Sequence, residues 1–513
     1  MKKSLRMLTC LLALCLCFST AACGPSDDPE TVHIMIQNAG YGYKWVETLG
    51  EMYKERTGVT VEVNPVAIYG RVDTSSYSPT GNNTDLYINL STGDMSNVAS
   101  GRTVNGKPLH VDLSDIYDYV PEGYEKPLKE LVTDAALRNC TYYEDGKQYL
   151  VEWSGSINGI IYNADLFAQN EIDIIPRTTD ELMEVCEKIK GLNLTKDGET
   201  VYAFYWAKQY FTQVVFTWWA QYIGYDAYLN FLQGKNEQGV YTADIYKERG
   251  RVDAFQALED IIGYGKGYAS DNCVSYTFTQ SQLKFLEGKS FMCPNGDWLE
   301  REAETNFPDT INIKFMKTPI ISTIIRKLET VENDTELREV IDYVDGKIEE
   351  GDLSKTYDPE DIERVREARN MVYTQSFQDH IFIPSYSNNI DGAKDFLKFM
   401  LSKEAQQTMF DVGGGNTFAY KYSEIGIDTS KGSPLQQSKI ALGLSPDTLF
   451  IGREMHAPMF LKSGLEFFSD NEAQLATIPS SATYRNPLQL VEAQYESWVG
   501  RWGNAMNQAG VRN

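Results

Sequence analysis

The sequence predicts an α/β protein built as two lobes, and three observations lead there. The chain has 513 residues, beyond the length at which one hydrophobic core stops growing and a chain divides. Its composition is ordinary globular, 42% hydrophobic and 23% charged. Its first patterned stretch runs strand, helix, strand, which is how a lobe with parallel strands opens.

The elements follow in order. Val32-His33-Ile34-Met35-Ile36 alternates as a strand does. Trp45, Val46, Leu49, Met52 and Tyr53 recur at helical spacing, and Gly58 ends that helix. Val59 to Val63 alternates again, with Pro65 expected to stop it. Such sheets bind ligands in loops at the C-terminal ends of their strands. Here the first of those loops holds Gln37, Asn38, Gly40, Tyr41 and Tyr43. Asp85 to Leu90 and Gly155 to Asn163 are two further strands. Helical patterns dominate from Pro176 to Tyr276, with an aromatic cluster from Tyr202 to Tyr225. Thr330 to Arg369 is strongly charged and helical in pattern, so it is expected to be a solvated insertion. Ala393 to Met409 is a further amphipathic helix. The 32 tyrosines suit pleated sheet surfaces and sugar faces alike.

The N-terminus carries an address. Lys2, Lys3 and Arg6 precede the apolar run Leu8 to Phe18, then Ser19-Thr20-Ala21-Ala22 and Cys23. The run is too short for a stable membrane anchor and has the three-part form of an export signal. A Cys directly after Ala21-Ala22 resembles a bacterial lipobox, with Thr20 where Leu is usual. That resemblance implies removal of residues 1–22 and acylation of Cys23. Residues 23–30, with Gly24 to Pro29, read as a flexible tether. Losing Lys2, Lys3 and Arg6 takes the net charge from −25 to −28, which repels nucleic acid and leaves no basic footprint for it. Cys10, Cys15 and Cys17 leave with the signal. Cys140, Cys186, Cys273 and Cys293 are too scattered for a disulfide scaffold or a close-set zinc motif, and are expected to be free buried thiols. The histidines are only His33, His110, His380 and His456, and no metal or cofactor is expected.

Four segments in order carry a family resemblance. They are the opening stretch with Thr57-Gly58-Val59-Thr60-Val61, and Gly159-Ile160-Ile161-Tyr162-Asn163-Ala164-Asp165-Leu166-Phe167. Then come Phe285 to Met292 with Asn295-Gly296-Asp297-Trp298, and Ala393 to Met400 with Ser402, Glu404 and Ala405. Together, behind a lipobox, they resemble extracellular solute-binding proteins of the maltodextrin-binding type, which serve carbohydrate ABC importers. The resemblance implies a periplasmic-binding-protein-like (type II) fold. Its N-terminal lobe would be residues 31–153 plus about 291–385, with the charged insertion at 330–369. Its C-terminal lobe would be 154–290 plus about 386–513. Gly159 to Phe167 would cross first, Phe285 to Trp298 would return, and Ala393 to Met400 would be a helix of the C-terminal lobe. The implied function is that of a monomeric lipoprotein on the outer face of the cytoplasmic membrane. It would capture an oligosaccharide by lobe closure and pass it to the permease, without catalysis.

A sugar cleft needs aromatic faces for the ring and polar groups for its hydroxyls, since a buried unpaired hydroxyl costs roughly 1–3 kcal/mol. Trp298, ending a Gly-x-Trp motif, is the first aromatic candidate. Trp153 precedes the first crossing, and Tyr210 is similar to a stacking Tyr of the family. Trp218 and Trp219 lie on a helix, one of them belonging to the core; Trp218 joins the candidates. On the polar side stand Gln37, Asn38 and Asp85, with Tyr41 and Tyr43 in the first loop. Any of the polar three would serve equally to cap a helix or turn. Asn416 follows Gly413-Gly414-Gly415, which either lets backbone approach a ligand or ends a helix.

The alternatives are a binder of polyamine or iron, or a surface enzyme on glycans with two carboxylates across its cleft. Iron finds few histidines here. Ser281-x-x-Lys284 with Ser469-Asp470-Asn471 lacks the Lys-Thr-Gly of serine penicillin-interacting enzymes. Gly288-Lys289-Ser290 has Leu283 where a phosphate loop needs its first glycine, and no HExxH occurs.

Overall fold

A computed structural model describes residues 31–67, 80, 82–90, 93–304, 306–307, 311–452, 457–464 and 484–513. The export signal, Cys23, the tether, His456 and Ser469-Asp470-Asn471 lie outside the described residues.

Eleven strands among the described residues build two sheets. They are β1 (Thr31–Asn38), β2 (Thr60–Ala67), β3 (Leu86–Leu90), β4 (Val151–Glu152), β5 (Asn158–Asn163), β6 (Tyr202–Phe204), β7 (Ser290–Gly296), β8 (Ile313–Phe315), β9 (Met371–Tyr373), β10 (Asp379–Phe382) and β11 (Leu449–Ile451). The first sheet has the order β2-β1-β3-β10-β4; the second runs β6-β7-β5-β9-β11, with β8 also paired to β5. β1 is parallel to both β2 and β3, while β10 is antiparallel to β3 and to β4.

The opening forms as its periodicity predicts. Helix α1 (Lys44–Thr57) buries Trp45, Val46, Leu49 and Tyr53 and stops at Gly58, whose φ of 84° only glycine adopts freely. Pro65 does not end β2, because Ile36 and Pro65 remain partners in the parallel pair. β2 is the edge strand, where the missing N–H of proline costs no sheet bond.

The chain passes between the sheets three times, at 153–157, 374–378 and 444–448. The first crossing lies where the sequence places it, but the division after it differs. Residues 291–373 belong with the second sheet and 379–443 largely with the first. Phe285 to Trp298 is therefore not the return. β7 pairs antiparallel with β5 from Met292↔Tyr162 to Gly296↔Asn158, which keeps it in the second sheet. The helix over Ala393 (α2, Ile390–Met400) packs Phe396, Leu397 and Met400 into the first lobe's core, not the second's. The expected single helix also breaks at Ser402, whose Oγ accepts the Ala405 N–H and starts helix α3 (Lys403–Val412). Helix α4 (Pro434–Gly443) bridges the lobes: Leu435 packs with Ile161, Phe285 and Phe315, and Ile440 joins the first core.

The charged stretch is no solvated insertion. The helices Asp334–Val344 and Pro359–Arg369 bury Leu337, Val340, Ile341, Val365 and Ala368 in the core of the second lobe. Their charges are satisfied locally. Arg338 reaches Glu184 at 2.8 Å and Asp334 at 2.5 Å, and Arg369 reaches Asp345 at 2.9 Å. Leu337→Ala should accordingly cost about 2–5 kcal/mol in denaturant unfolding. A loss well under about 1 kcal/mol would return these helices to the status of an appendage. Cys140, Cys186, Cys273 and Cys293 are buried free thiols.

Candidate ligand-binding site

The loop after β1 turns on Gly40 and Gly42, with φ of 50° and 70°, and presents Tyr41 toward the second lobe. The Tyr41 hydroxyl donates to Asp297 Oδ1 at 2.7 Å. That oxygen also accepts the backbone N–H of Ile157, in the first crossing, at 3.2 Å. The other carboxylate oxygen pairs with the fully buried Lys439 of α4. One carboxylate thus ties together a first-lobe loop, a crossing segment, the end of β7 and the bridging helix.

Trp298 sits one residue farther on. A Cβ on Gly296 would lie 2.5 Å from Trp298 Cη2, so only glycine lets the indole fold back over the strand end. The half-buried ring stands edge-on to Tyr41 (6.3 Å, 89°) and 6.0 Å from Tyr210. Its Nε1–H donates to the Tyr210 hydroxyl at 3.3 Å. Tyr41 is also edge-on to Trp153 (6.0 Å), which stacks on Trp45 at 5.5 Å and donates to Asn89 O. The result is an aromatic seam with Tyr41 from one lobe and Trp298 and Tyr210 from the other.

Polar groups border it. Asn416 is buried, and its Oδ1 accepts from Ser154 Oγ at 3.3 Å. Thr417 lies alongside, its carbonyl accepting the Gly155 N–H. Asp379 begins β10 at the end of the second crossing. Burial holds its carboxyl well above the usual carboxylate range, Ser154 opposes this by hydrogen bonding, and the charges of Glu152 and Asp297 add to it. Asp379 Oδ1, Asn416 Nδ2, Gln213 Oε1, Ser156 Oγ and Thr417 Oγ1 are buried side-chain atoms without a hydrogen-bond partner among the described residues. Native interiors hold few such atoms, and these five lie on or beside the crossings.

A raised carboxyl makes the folded protein bind the extra proton, so stability falls as pH rises above the ordinary Asp value of about 3.9. Asp379→Asn removes that loss. The variant should melt above the parent at neutral pH, with the gap closing toward about pH 4. Thermal unfolding at several pH values checks this; a gap independent of pH would assign the effect to packing.

Of the sequence candidates, Tyr41, Trp153, Tyr210, Trp298 and Asn416 come together. Trp153 is fully buried beneath the seam rather than facing it. Asn38 ends β1 in an exposed position, and Tyr43 is half-buried at the start of α1. Gln37 lies near, but its Oε1 accepts the Leu90 N–H at 2.6 Å and so joins β1 to β3. Asp85 stands at the opposite end of the sheet. It precedes β3 rather than ending it, accepting from His33 N at 2.9 Å and Ser387 Oγ at 2.6 Å. Trp218 is core: fully buried, it donates to Pro319 O at 3.1 Å, with Trp219 buried beside it. Asp297, Lys439, Asp379 and Gln213 also border the seam and are not among the sequence candidates. Asp297 adjoins Trp298 inside a quoted motif, whereas Lys439 on an unremarkable helix gives no signal.

Two lobes joined by three crossings are the build of a two-lobe solute-binding protein. Residues 48–426 match the family model for bacterial extracellular solute-binding protein, and the chain belongs to that family. The family is one of binding proteins, not enzymes. Among solved structures, the solute-binding protein RafE in complex with raffinose matches at 15% identity and TM-score 0.58, covering 92% of this chain and 99% of that one. A chitin oligosaccharide binding protein matches at 15% and 0.59, covering 94% and 100%. Maltose-bound MalE3 of T. maritima matches at 15% and 0.56, covering 91% and 98%. Likeness at this identity is one of fold. No curated protein sequence matches significantly. Among the described residues no helix is long and apolar enough to cross a membrane.

Proposed function

We propose that this protein captures a carbohydrate, most simply an oligosaccharide, outside the cell and delivers it to the permease of an ABC importer. One observation carries the reading. Aromatic rings from both lobes meet at a seam bordered by buried polar atoms that have no partner among the described residues, the pairing of ring faces and hydroxyl partners a sugar needs. Closure of the lobes around the sugar would select the form the permease recognises, with no bond made or broken. Acylated Cys23 would hold the protein at the outer face of the cytoplasmic membrane, as a monomer. The polyamine alternative needs converging free carboxylates, and Asp297, the best placed, is already held by Lys439.

The test is thermal unfolding of the mature protein against mono- and oligosaccharides, polyamines and iron. A ligand at a hundred times its dissociation constant stabilises the native state by about 2.7 kcal/mol, enough to move the midpoint by a degree or more. A shift with one oligosaccharide supports the reading and names the substrate. A shift with a polyamine or iron alone, consumption of the sugar, or no shift across the panel overturns it. For the anchor, Cys23→Ala should move the protein from the membrane fraction to the soluble one.

A further inference from the structure

Beneath the seam, inside the first lobe, lies a cluster that sugar binding does not use. Glu152 ends β4, and His380 is the second residue of β10. The two are direct partners in the antiparallel pairing of those strands, so their side chains leave the same face of the sheet. The helix Asp134–Cys140 ends over that face and supplies Cys140. A ligating atom from each of the three lies within 4.8 Å of the other two, and all three residues are buried. Asp94 is buried beside them, with Oδ2 at 3.8 Å from His380 Nδ1. Asn139 Nδ2 holds Glu152 Oε1 at 3.0 Å and fixes that carboxylate.

We propose that Cys140, Glu152 and His380 form a binding site for a zinc-type divalent ion. One thiolate, one imidazole and one carboxylate are donors that zinc accepts, whereas calcium and magnesium take oxygen donors. Around a tetrahedral ion with bonds of about 2.0–2.3 Å, donor atoms stand roughly 3.3–3.8 Å apart. The cluster reaches that spacing with side-chain shifts of about an ångström. The charges also match: a thiolate and a carboxylate cancel a dication, and the neutral complex is far cheaper to bury than its separate ions. Asp94 occupies the position of the outer carboxylate that metal-bound imidazoles usually keep. Spacing along the sequence hides the set, since His380 meets Glu152 only through sheet pairing and Cys140 joins them from the helix packed over that face. The site has a structural consequence. β4 and β10 are the first-lobe strands that adjoin the crossings at 153–157 and 374–378, so an ion joining Glu152 to His380 fastens the base of the hinge.

The experiment takes the mature protein, strips it with a chelator, and adds cobalt(II), then zinc(II), to the native and the refolding chain. We expect one equivalent of cobalt with a thiolate-to-metal charge-transfer band and the visible bands of a tetrahedral site, both abolished by zinc. Cys140→Ser should lose the charge-transfer band, His380→Gln should bind at least tenfold more weakly, and Cys186→Ser should behave as the parent. Circular dichroism establishes that each variant is folded. Should a variant not fold, the parent decides: zinc must raise its unfolding midpoint and be found at one ion per chain by elemental analysis. No stoichiometric binding, no thiolate band, or a band that survives Cys140→Ser overturns the site. None of these outcomes depends on the sugar reading.

Discussion

Replacing Trp298 by alanine should weaken sugar binding about a hundredfold, or ~2.7 kcal/mol, while moving the unfolding midpoint far less. The indole is half-buried where rings of both lobes converge, 6.3 Å from Tyr41 and 6.0 Å from Tyr210. On the proposed reading, a ring in that position would contribute contact area to a ligand in the closed form, and buried aromatic anchors of this kind dominate binding energy. Its contribution to folding is smaller, because Tyr41 is also held by Asp297 and packed on Trp153. Trp298→Phe should recover part of the affinity, since a smaller ring still covers part of a sugar face. Isothermal titration of the parent and both variants with the sugar found in the panel reads this directly. Unchanged affinity in Trp298→Ala would move the ligand's seat away from the seam.

Lys439→Met should be among the most destabilising substitutions in the protein, costing about 3–5 kcal/mol. Lys439 and Asp297 are both almost wholly shielded from solvent. Removing the cation leaves a buried carboxylate with only the Tyr41 hydroxyl and the Ile157 N–H. The double variant Asp297→Asn with Lys439→Met carries no uncompensated charge and should recover much of the loss. Urea unfolding of the two single variants and the double gives the coupling energy. Additive losses would mean that the pair does not act as a unit.

Local signals in the sequence carried the elements, and long-range pairing set where they went. The helix over Trp45 and the strands at Val32 and Gly159 were legible because their periodicities are strong and their ends punctuated. The lobe assignment after Trp298 was not. Whether β7 returns to the first sheet depends on its pairing with β5, which no local pattern encodes. The stretch 330–369 misled for a related reason. Its charges outnumber its apolar residues, yet Leu337, Val340 and Ile341 form one narrow buried stripe, and Arg338 spends its charge on neighbours. At the site, aromatic candidates were easier to find than polar ones. Trp298 and Tyr210 belong to a motif or a recognisable position. Asp379 and Lys439 matter because of what lies across from them. Asp85 failed because it opens a strand rather than closing it, which puts it five positions before Leu90 and at the far end of the sheet.

The position of β10 also bears on how the protein is made. This strand lies inside the first sheet, between β3 and β4, yet it comes after nearly all of the second lobe's strands. Until Asp379–Phe382 arrives, β3 and β4 have no common neighbour, and the first lobe's core lacks Phe382, Phe396 and Leu397. Closing so long a loop is slow compared with forming local helices. In a growing chain of this design the first lobe therefore cannot complete its sheet and core until most of the chain has been synthesised.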